Sequence, residues 1–195
     1  MGRICYIMGK SSSGKDTIFK KLKEKMPELR ILIPYTTRPL RAEETDGVEY
    51  YFVDEEKQKV MEEEGRVIEV REYDTKHGIW KYFTANDGQI DLNRHSYLVI
   101  GTLESYEAMC RYFGKDKLIP VYIEVEDGLR LERALQRERG QSEPRYSEMC
   151  RRFLADEADF SEENLKKAGI GRSFRNHKIE DCLEEIHTYL KEKLK

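Results

Sequence analysis

Residues 4–26 join three features that leave few folds open. "ICYIM" (Ile4–Met8) is an apolar run that stops at Gly9, "GKSSSGKDT" follows, and "DTIFKKLKEKM" places Ile18, Leu22 and Met26 at i, i+4 and i+8. An unbroken apolar run marks a strand buried on both faces, and the i, i+4, i+8 pattern marks a helix with one apolar side. The loop between them has the spacing G-x-x-x-x-G-K. Glycines there allow tight turns and close approach, and the opening turn of a helix offers N–H groups and a positive dipole end to an anion. Gly9, Lys10, Ser11, Ser12, Ser13, Gly14 and Lys15 therefore read as a phosphate cradle, with Lys15 reaching the outer phosphates. One position departs from the pattern. Asp16 stands where such loops carry Ser or Thr, and Thr17 follows it.

The rest of the chain repeats the alternation. Strands are expected at Leu29–Tyr35, Tyr97–Gly101 and Leu118–Val125, and helices at Leu103–Phe113 and Gly128–Arg139. A last helix carries Ile179, Leu183, Ile186, Leu190 and Leu194 on one side. Strands alternating with helices predict an α/β fold, a parallel sheet with helices on both faces. Residues 36–83 break the rhythm with "EYYFV", a charged helix "DEEKQKVMEEEG", then "RVIEVREY" and "WKYFT". This stretch is expected to be a small inserted lobe of antiparallel strands, its acidic helix a solvated face. At 195 residues the chain is expected to be a single domain, with the lobe inserted at about 36–83.

Composition removes several classes of function. Apolar residues make up 38% and charged residues 37%, which supports a core under a highly charged surface. The net charge of −3, from 35 basic and 38 acidic side chains, provides no basic field for a nucleic acid. No apolar run approaches the roughly 20 residues that span a bilayer, and "MGRICYIM" has neither the length nor the flanks of a signal peptide. Tyr6 stands where a myristoylation site needs Ser or Thr. Cys5, Cys110, Cys150 and Cys182 lack metal-ligand spacing and read as buried free thiols. The expectation is a cytoplasmic protein. The sequence carries no signal for oligomeric state.

A second constellation lies in "TTRPLRAEETDGVEYYF" (Thr36–Phe52). Arg38 and Arg41 are three apart and Tyr50 is close behind. Two guanidinium groups and a phenol suit a phosphate. Pairing of the same arginines with Glu43 and Glu44 is the alternative.

Together the loop, the pattern R-x-x-R-x-x-E-x-x-G-x-x-Y-x-F on Arg38, Arg41, Glu44, Gly47, Tyr50 and Phe52, and "VIEV" further on resemble the guanylate kinase family. The likeness is strong over roughly residues 4–70 and continues more weakly through "RERGQSE" and "RRF". The resemblance implies a kinase core with an inserted nucleoside-monophosphate lobe and an Arg-bearing lid, here about 137–147. It implies transfer from ATP to GMP or dGMP with Mg²⁺, and small-molecule nucleotides as partners. Carried over, the loop from Gly9 to Thr17 holds ATP, and Arg38, Arg41 and Tyr50 hold the acceptor's phosphate. Glu69 accepts from the N1–H and 2-amino group of guanine. Arg133, Arg137 and Arg139 are lid candidates, and Arg151 or Arg152 adds charge from the next helix. Lys15, Arg38, Arg137, Arg139 and Arg151 form the expected catalytic set.

Departures from the family pattern are concentrated around the base. Pro34 replaces a Ser, and "YLVIGTLES" lacks the acid expected near Gly101 and Thr102. His77 and Trp80 stand in an altered segment as candidate pocket walls or core residues. Asp16 is therefore expected to serve Mg²⁺ in place of the missing acid, with helix capping as the alternative. Two other functions stay open. One is a kinase of the same fold acting on another phosphate-bearing acceptor such as a ribose phosphate. The other is a non-enzymatic module that holds a phosphopeptide.

Overall fold

The computed structural model describes residues 1–41, 44–75 and 78–195. His77 and Glu43, both considered above, lie outside the described residues. The chain runs β1 (Ile4–Met8), α1 (Lys15–Lys25), β2 (Arg30–Ile31), β3 (Tyr35–Thr36), β4 (Tyr51–Phe52), α2 (Glu55–Glu63), β5 (Val67–Thr75) and β6 (Gly78–Ala85). It continues with β7 (Tyr97–Gly101), α3 (Leu103–Phe113), β8 (Leu118–Glu124), α4 (Asp127–Arg139), α5 (Tyr146–Asp159), α6 (Glu162–Ala168), β9 (Ser173–Arg175) and α7 (Ile179–Lys193).

Five strands form one parallel sheet in the order β2-β7-β1-β8-β9. Successive side chains of β1 point to opposite faces, as strand geometry requires. Cys5 and Ile7 pack with Ile18, Leu22 and Met26 of α1 and with Cys182, Ile186 and Leu190 of α7. Ile4, Tyr6 and Met8 pack on the other side with Leu103, Tyr106 and Met109 of α3. The α/β fold with helices on both faces is thus the one expected. It also places the loop after β1 and the start of α3 at the carboxyl ends of adjacent strands, where open α/β sheets hold their ligands.

The second sheet has the order β4-β3-β6-β5. Its pairing is mixed, not antiparallel throughout. β3/β6 and β5/β6 run antiparallel, but β4 returns parallel to β3 because the long connection after Thr36 brings the chain back to the same end. Tyr35, Met61, Phe83 and Ala85 form its small core. The acidic helix α2 buries Gln58 and Met61 and leaves its carboxylates in water, as expected.

Three further expectations need correction. Leu29–Tyr35 is not one strand. Arg30–Ile31 joins the large sheet and Tyr35–Thr36 the small one. Pro34 lies at the break, where it has no N–H for a ladder and its carbonyl accepts from Tyr51 at 2.9 Å. The thiols are not all buried: Cys5 and Cys182 are, Cys110 is half-buried, and Cys150 lies exposed on α5, a helix without a buried residue of its own. Finally, α6 and β9 were not anticipated, whereas the helix expected to carry Arg151 and Arg152 is α5. Among the described residues no helix is long and apolar enough to cross a membrane.

Gly101 closes β7 because Tyr6 lies beneath it. A Cβ at Gly101 would sit 2.0 Å from the Tyr6 hydroxyl and 2.8 Å from its Cζ. Gly101→Ala is expected to lower stability by about 1–3 kcal/mol through overpacking, with Tyr6→Phe restoring part of it. Chemical denaturation of the two single variants and the double variant checks this, and an unchanged midpoint in Gly101→Ala would contradict the packing.

Candidate active site

The loop after β1 is shaped by steric need. A Cβ on Gly9 would lie 2.6 Å from the Ile123 carbonyl oxygen, so only glycine fits where the loop leaves the sheet. Gly14 has φ 83° and is the residue from which α1 begins. Ser12 is held at φ 62°, a conformation uncommon outside glycine and a small store of strain. Asn176, buried just after β9, donates through Nδ2 to the Ser13 carbonyl at 2.8 Å. No side chain caps α1, so the N–H groups of its first turn open toward the loop. Ser13 Oγ, Ser12 Oγ and Asn176 Oδ1 are buried without a partner among the described residues. Such a ring of donors and orphaned polar atoms fits the phosphates of a nucleotide.

Behind the loop stands Arg130 of α4, 1% exposed. Its Nε donates to the Ser11 carbonyl at 3.2 Å, and its fork reaches Asp127, Glu157 at 2.8 Å and Asp156 at 3.4 Å. Phe153 lies under the guanidinium, 4.6 Å from ring centroid to Cζ. Asp156 also accepts from the Ser11 N–H at 2.8 Å, and Glu157 accepts from Lys10 Nζ at 2.7 Å. Lys10, expected on ATP, is instead turned to the back of the loop. None of Arg130, Asp156, Glu157 or Asn176 was singled out in the sequence.

Lys15 opens α1, its side chain 21% exposed. Burial lowers its pKa, Asp16 and Asp156 oppose that shift, and Arg152 and Arg137 reinforce it. Arg137 and Arg152 thus share one positive field with Lys15, and both line a small pocket over Ser11 and Ser12. Arg133 instead donates to the Asn176 carbonyl at 3.3 Å. Arg139 is exposed, and Arg151 is 62% exposed and paired bidentately with Glu148 at 2.7 Å. Arg137 and Arg152 share the pocket beside Ser11 and Ser12, which Arg139 and Arg151 do not line.

Asp16 does not cap α1; Gly14 does, without side-chain help. The Asp16 carboxylate is 79% exposed and 3.9 Å from Lys15 Nζ. Among the described residues no cluster of three or more His, Cys, Asp or Glu forms a metal cage. A Mg²⁺ held here would take Asp16 plus phosphate oxygens and water, a donor set this cation accepts.

Across the cleft, Arg38 is 3% exposed. Its fork grips Glu44 through two bonds, one of 2.7 Å, while Nε donates to the Tyr82 hydroxyl at 3.0 Å. Tyr50 and Phe52 stand 5.3 Å from it and Tyr82 6.0 Å, an aromatic cage for the cation. Arg41 is exposed, and its backbone N–H donates to Glu44. Burial raises the pKa of Tyr50, and the charges of Arg71, Arg38 and Asp16 all reach its phenol. Trp80 is half-buried on β6, next to Tyr73 of β5 in the ladder. Glu69 is not the exposed strand position that a surface reading would make it. Its carboxylate is 6% exposed and bonded to Arg71, Thr84 and Ser105. Gly101 lies over Tyr6 and has no room for an acid, while Thr102 caps α3 through its hydroxyl.

Arg38 holds the Glu44 carboxyl below its ordinary 4.5; burial opposes this, and the Arg41 N–H helps. A depressed folded pKa contributes stability above 4.5 that is lost as pH falls through the folded value. Glu44→Gln is expected to melt lower than wild type at neutral pH and to show a flatter acid limb. Melting temperature against pH for both proteins checks it; parallel curves would remove the pair from the acid response.

A family model described as guanylate kinase matches residues 1–83. Guanylate kinase from Thermobifida fusca (strain YX) is 41% identical over 71 residues, 36% of this chain and 36% of that protein. The guanylate kinase of Caldanaerobacter subterraneus subsp. tengcongensis is 43% identical over 83 residues, 42% of this chain and 40% of that protein. The aligned stretch spans less than half the length of these relatives. Over the whole chain the crystal structure of guanylate kinase from Anaplasma phagocytophilum is similar, with a TM-score of 0.67. It covers 99% of this chain and 86% of that one at 21% identity, which is a likeness of fold.

Proposed function

We propose that this chain, which belongs to the guanylate kinase family by its first 83 residues and shares the fold throughout, is an ATP-dependent kinase of nucleoside monophosphates. GMP and dGMP, converted to GDP and dGDP, are the acceptors favoured by a buried carboxylate in the lobe. The observation that carries this reading is an anion cradle at the start of α1 in the same chain as a buried guanidinium, Arg38, which a carboxylate already grips as a phosphate would. A cytoplasmic location is part of the proposal, in keeping with its free thiols.

In this reading the loop backbone and Lys15 bind the donor's phosphates, and Arg137 and Arg152 lie over the phosphoryl group in transit. Arg38 takes the acceptor's phosphate by releasing Glu44, with the exposed Arg41 adding charge from the rim and Tyr50, protonated at neutral pH, offering a hydroxyl. The segment about 137–147 serves as the lid. Bound Mg²⁺ neutralises charge between donor phosphates. Phosphoryl transfer asks little covalent chemistry of the protein, so position and charge supply the rate. Asp16 would stand against a phosphate charge at about 4 Å, a repulsion of roughly 4 kcal/mol at an effective dielectric of 20. Lys15, 3.9 Å away, and the cation offset it.

A second reading, another phosphate-bearing acceptor such as a ribose phosphate, is favoured by one observation: Arg71 covers Glu69. ADP release measured across GMP, dGMP, AMP, IMP, UMP, CMP and ribose phosphates separates the two.

Lys15→Ala is expected to lower turnover by about 100-fold or more, since the lost contact strengthens as charge develops, while the melting temperature changes little. Near-normal turnover in a folded Lys15→Ala protein would sink the enzyme reading. Asp16→Asn is expected to raise the Mg²⁺ concentration needed for half-maximal rate. An unchanged magnesium titration would remove Asp16 from the metal.

A further inference from the structure

Glu69 and Arg71 stand two apart on β5, so alternation places both side chains on one face of the strand. The carboxylate is 6% exposed and the guanidinium 11%. Arg71 donates through Nε to Oε2 at 2.9 Å and through Nη2 to Oε1 at 3.3 Å. Thr84 Oγ1 and Ser105 Oγ both donate to Oε1, at 2.7 and 3.0 Å. An ionised carboxylate offers about four lone-pair sites, and four protein donors meet it here. Arg71 is held from its far side as well. Its Nη1 donates to Thr102 Oγ1 at 3.4 Å, and the Tyr73 phenol lies within bonding reach.

The shape of this pair is informative. Guanine's N1–H and 2-amino group flank the single carbon C2, and that N–C–N edge is a guanidine fragment. Arg71 presents Nε–H and Nη2–H about Cζ in the same way. Each is a planar pair of donors suited to the two oxygens of one carboxylate.

We propose that Arg71 is a specificity-determining residue that occupies Glu69 as an internal stand-in for the guanine edge, so that guanine reaches the carboxylate only by displacing it. The inference rests on the nucleoside-monophosphate reading above. Bonds gained between guanine and Glu69 are offset by the two bonds lost from Arg71, whose charge would be left in a half-buried site. A base that offers only N1–H displaces one of the two Arg71 bonds and leaves the other, so the 2-amino group replaces a bond rather than adding one and contributes little net affinity. The pocket accepts 6-oxopurine monophosphates without demanding that group, so hypoxanthine, which has N1–H and no 2-amino, competes with guanine.

The test is calorimetric binding of GMP and of IMP, without ATP, to wild type, Arg71→Met and the double variant Glu69→Gln/Arg71→Met. Methionine keeps the apolar stem and removes every donor. Wild type is expected to bind the two nucleotides within about threefold of one another, and Arg71→Met to bind GMP about tenfold more tightly than wild type does, the worth of one charge-assisted hydrogen bond or more. The gain for IMP is expected to be smaller, and the double variant to show no gain. Tighter binding cannot come from an unfolded chain. If Arg71→Met does not melt as one cooperative transition, Arg71→Gln is measured in its place, with a smaller gain of the same direction. A wild-type preference for GMP beyond about tenfold, or no tightening in the variant, overturns the proposal. ADP release on adding ATP is read separately. Wild type that releases no ADP with GMP, while Arg71→Met binds GMP more tightly, rejects the kinase reading and leaves the role of Arg71 standing; wild-type ADP release with unaltered GMP affinity in the variant does the reverse.

Discussion

A guanidinium taken out of water, that of Arg130, sets the terms for the phosphate loop. Removing such a charge from solvent costs several kcal/mol unless partners replace the water. Here Asp127, Asp156, Glu157, the Ser11 carbonyl and the face of Phe153 replace it. The consequence is geometric. Ser11 is fixed from both of its peptide groups, by Arg130 at the carbonyl and Asp156 at the N–H, while Asn176 fixes Ser13. A loop held from behind at three backbone atoms keeps Ser12 at φ 62° and leaves its other face to the ligand. The same network joins α5 to the loop, so Arg152 is carried on a helix whose register against Lys15 is set by Asp156 and Glu157. Preorganisation of this kind is what electrostatic catalysis requires.

The lobe solves a different problem. Arg38 at 3% exposure and Glu69 at 6% are charges that need a partner at all times. Each has one within the lobe, Glu44 for the first and Arg71 for the second. Glu44 presents two oxygens to a guanidinium as a phosphate would, and Arg71 presents two donors to a carboxylate as guanine would. On the proposed reading, ligand binding is an exchange of partners rather than a burial of bare charge, which lowers the energetic cost of keeping both groups away from water. It also limits affinity, because every new bond replaces an old one.

These pairs show where the sequence was legible and where it was not. Apolar periodicity alone located β1, α1, α3 and α7, because a five-residue buried strand and a helix face are local patterns. The glycines of the loop were legible for the same reason: Gly9 and Gly14 answer to contacts and dihedrals within a few residues of the motif. β9 is three residues long and exists only through its pairing with β8, so periodicity had nothing to detect. Arg71, two residues past Glu69, was read as part of a strand rather than as a partner, since spacing gives the shared face but not the choice of partner. Arg130 and Asp156 are 26 residues apart and meet through the packing of α4 on α5. Asn176 meets Ser13 across 163 residues.

The departures around β7 follow from one choice in the core. Tyr6 projects from β1 toward α3, and its ring fills the space above Gly101 so closely that no side chain fits there. Burial keeps the Tyr6 phenol neutral, with Ser105 as its bonding partner. Ser105 in turn donates to Glu69, and Thr102 both caps α3 and accepts from Arg71. Gly101, the last residue of β7, is closed to any side chain, and Thr102 is engaged by the α3 cap and by Arg71, so the end of β7 carries no acid. If the chemistry still needs a carboxylate near the donor's metal, it must come from an element outside this chain of bonds. Asp16, exposed at the start of α1 and beyond hydrogen-bonding reach of any of these groups, meets that condition.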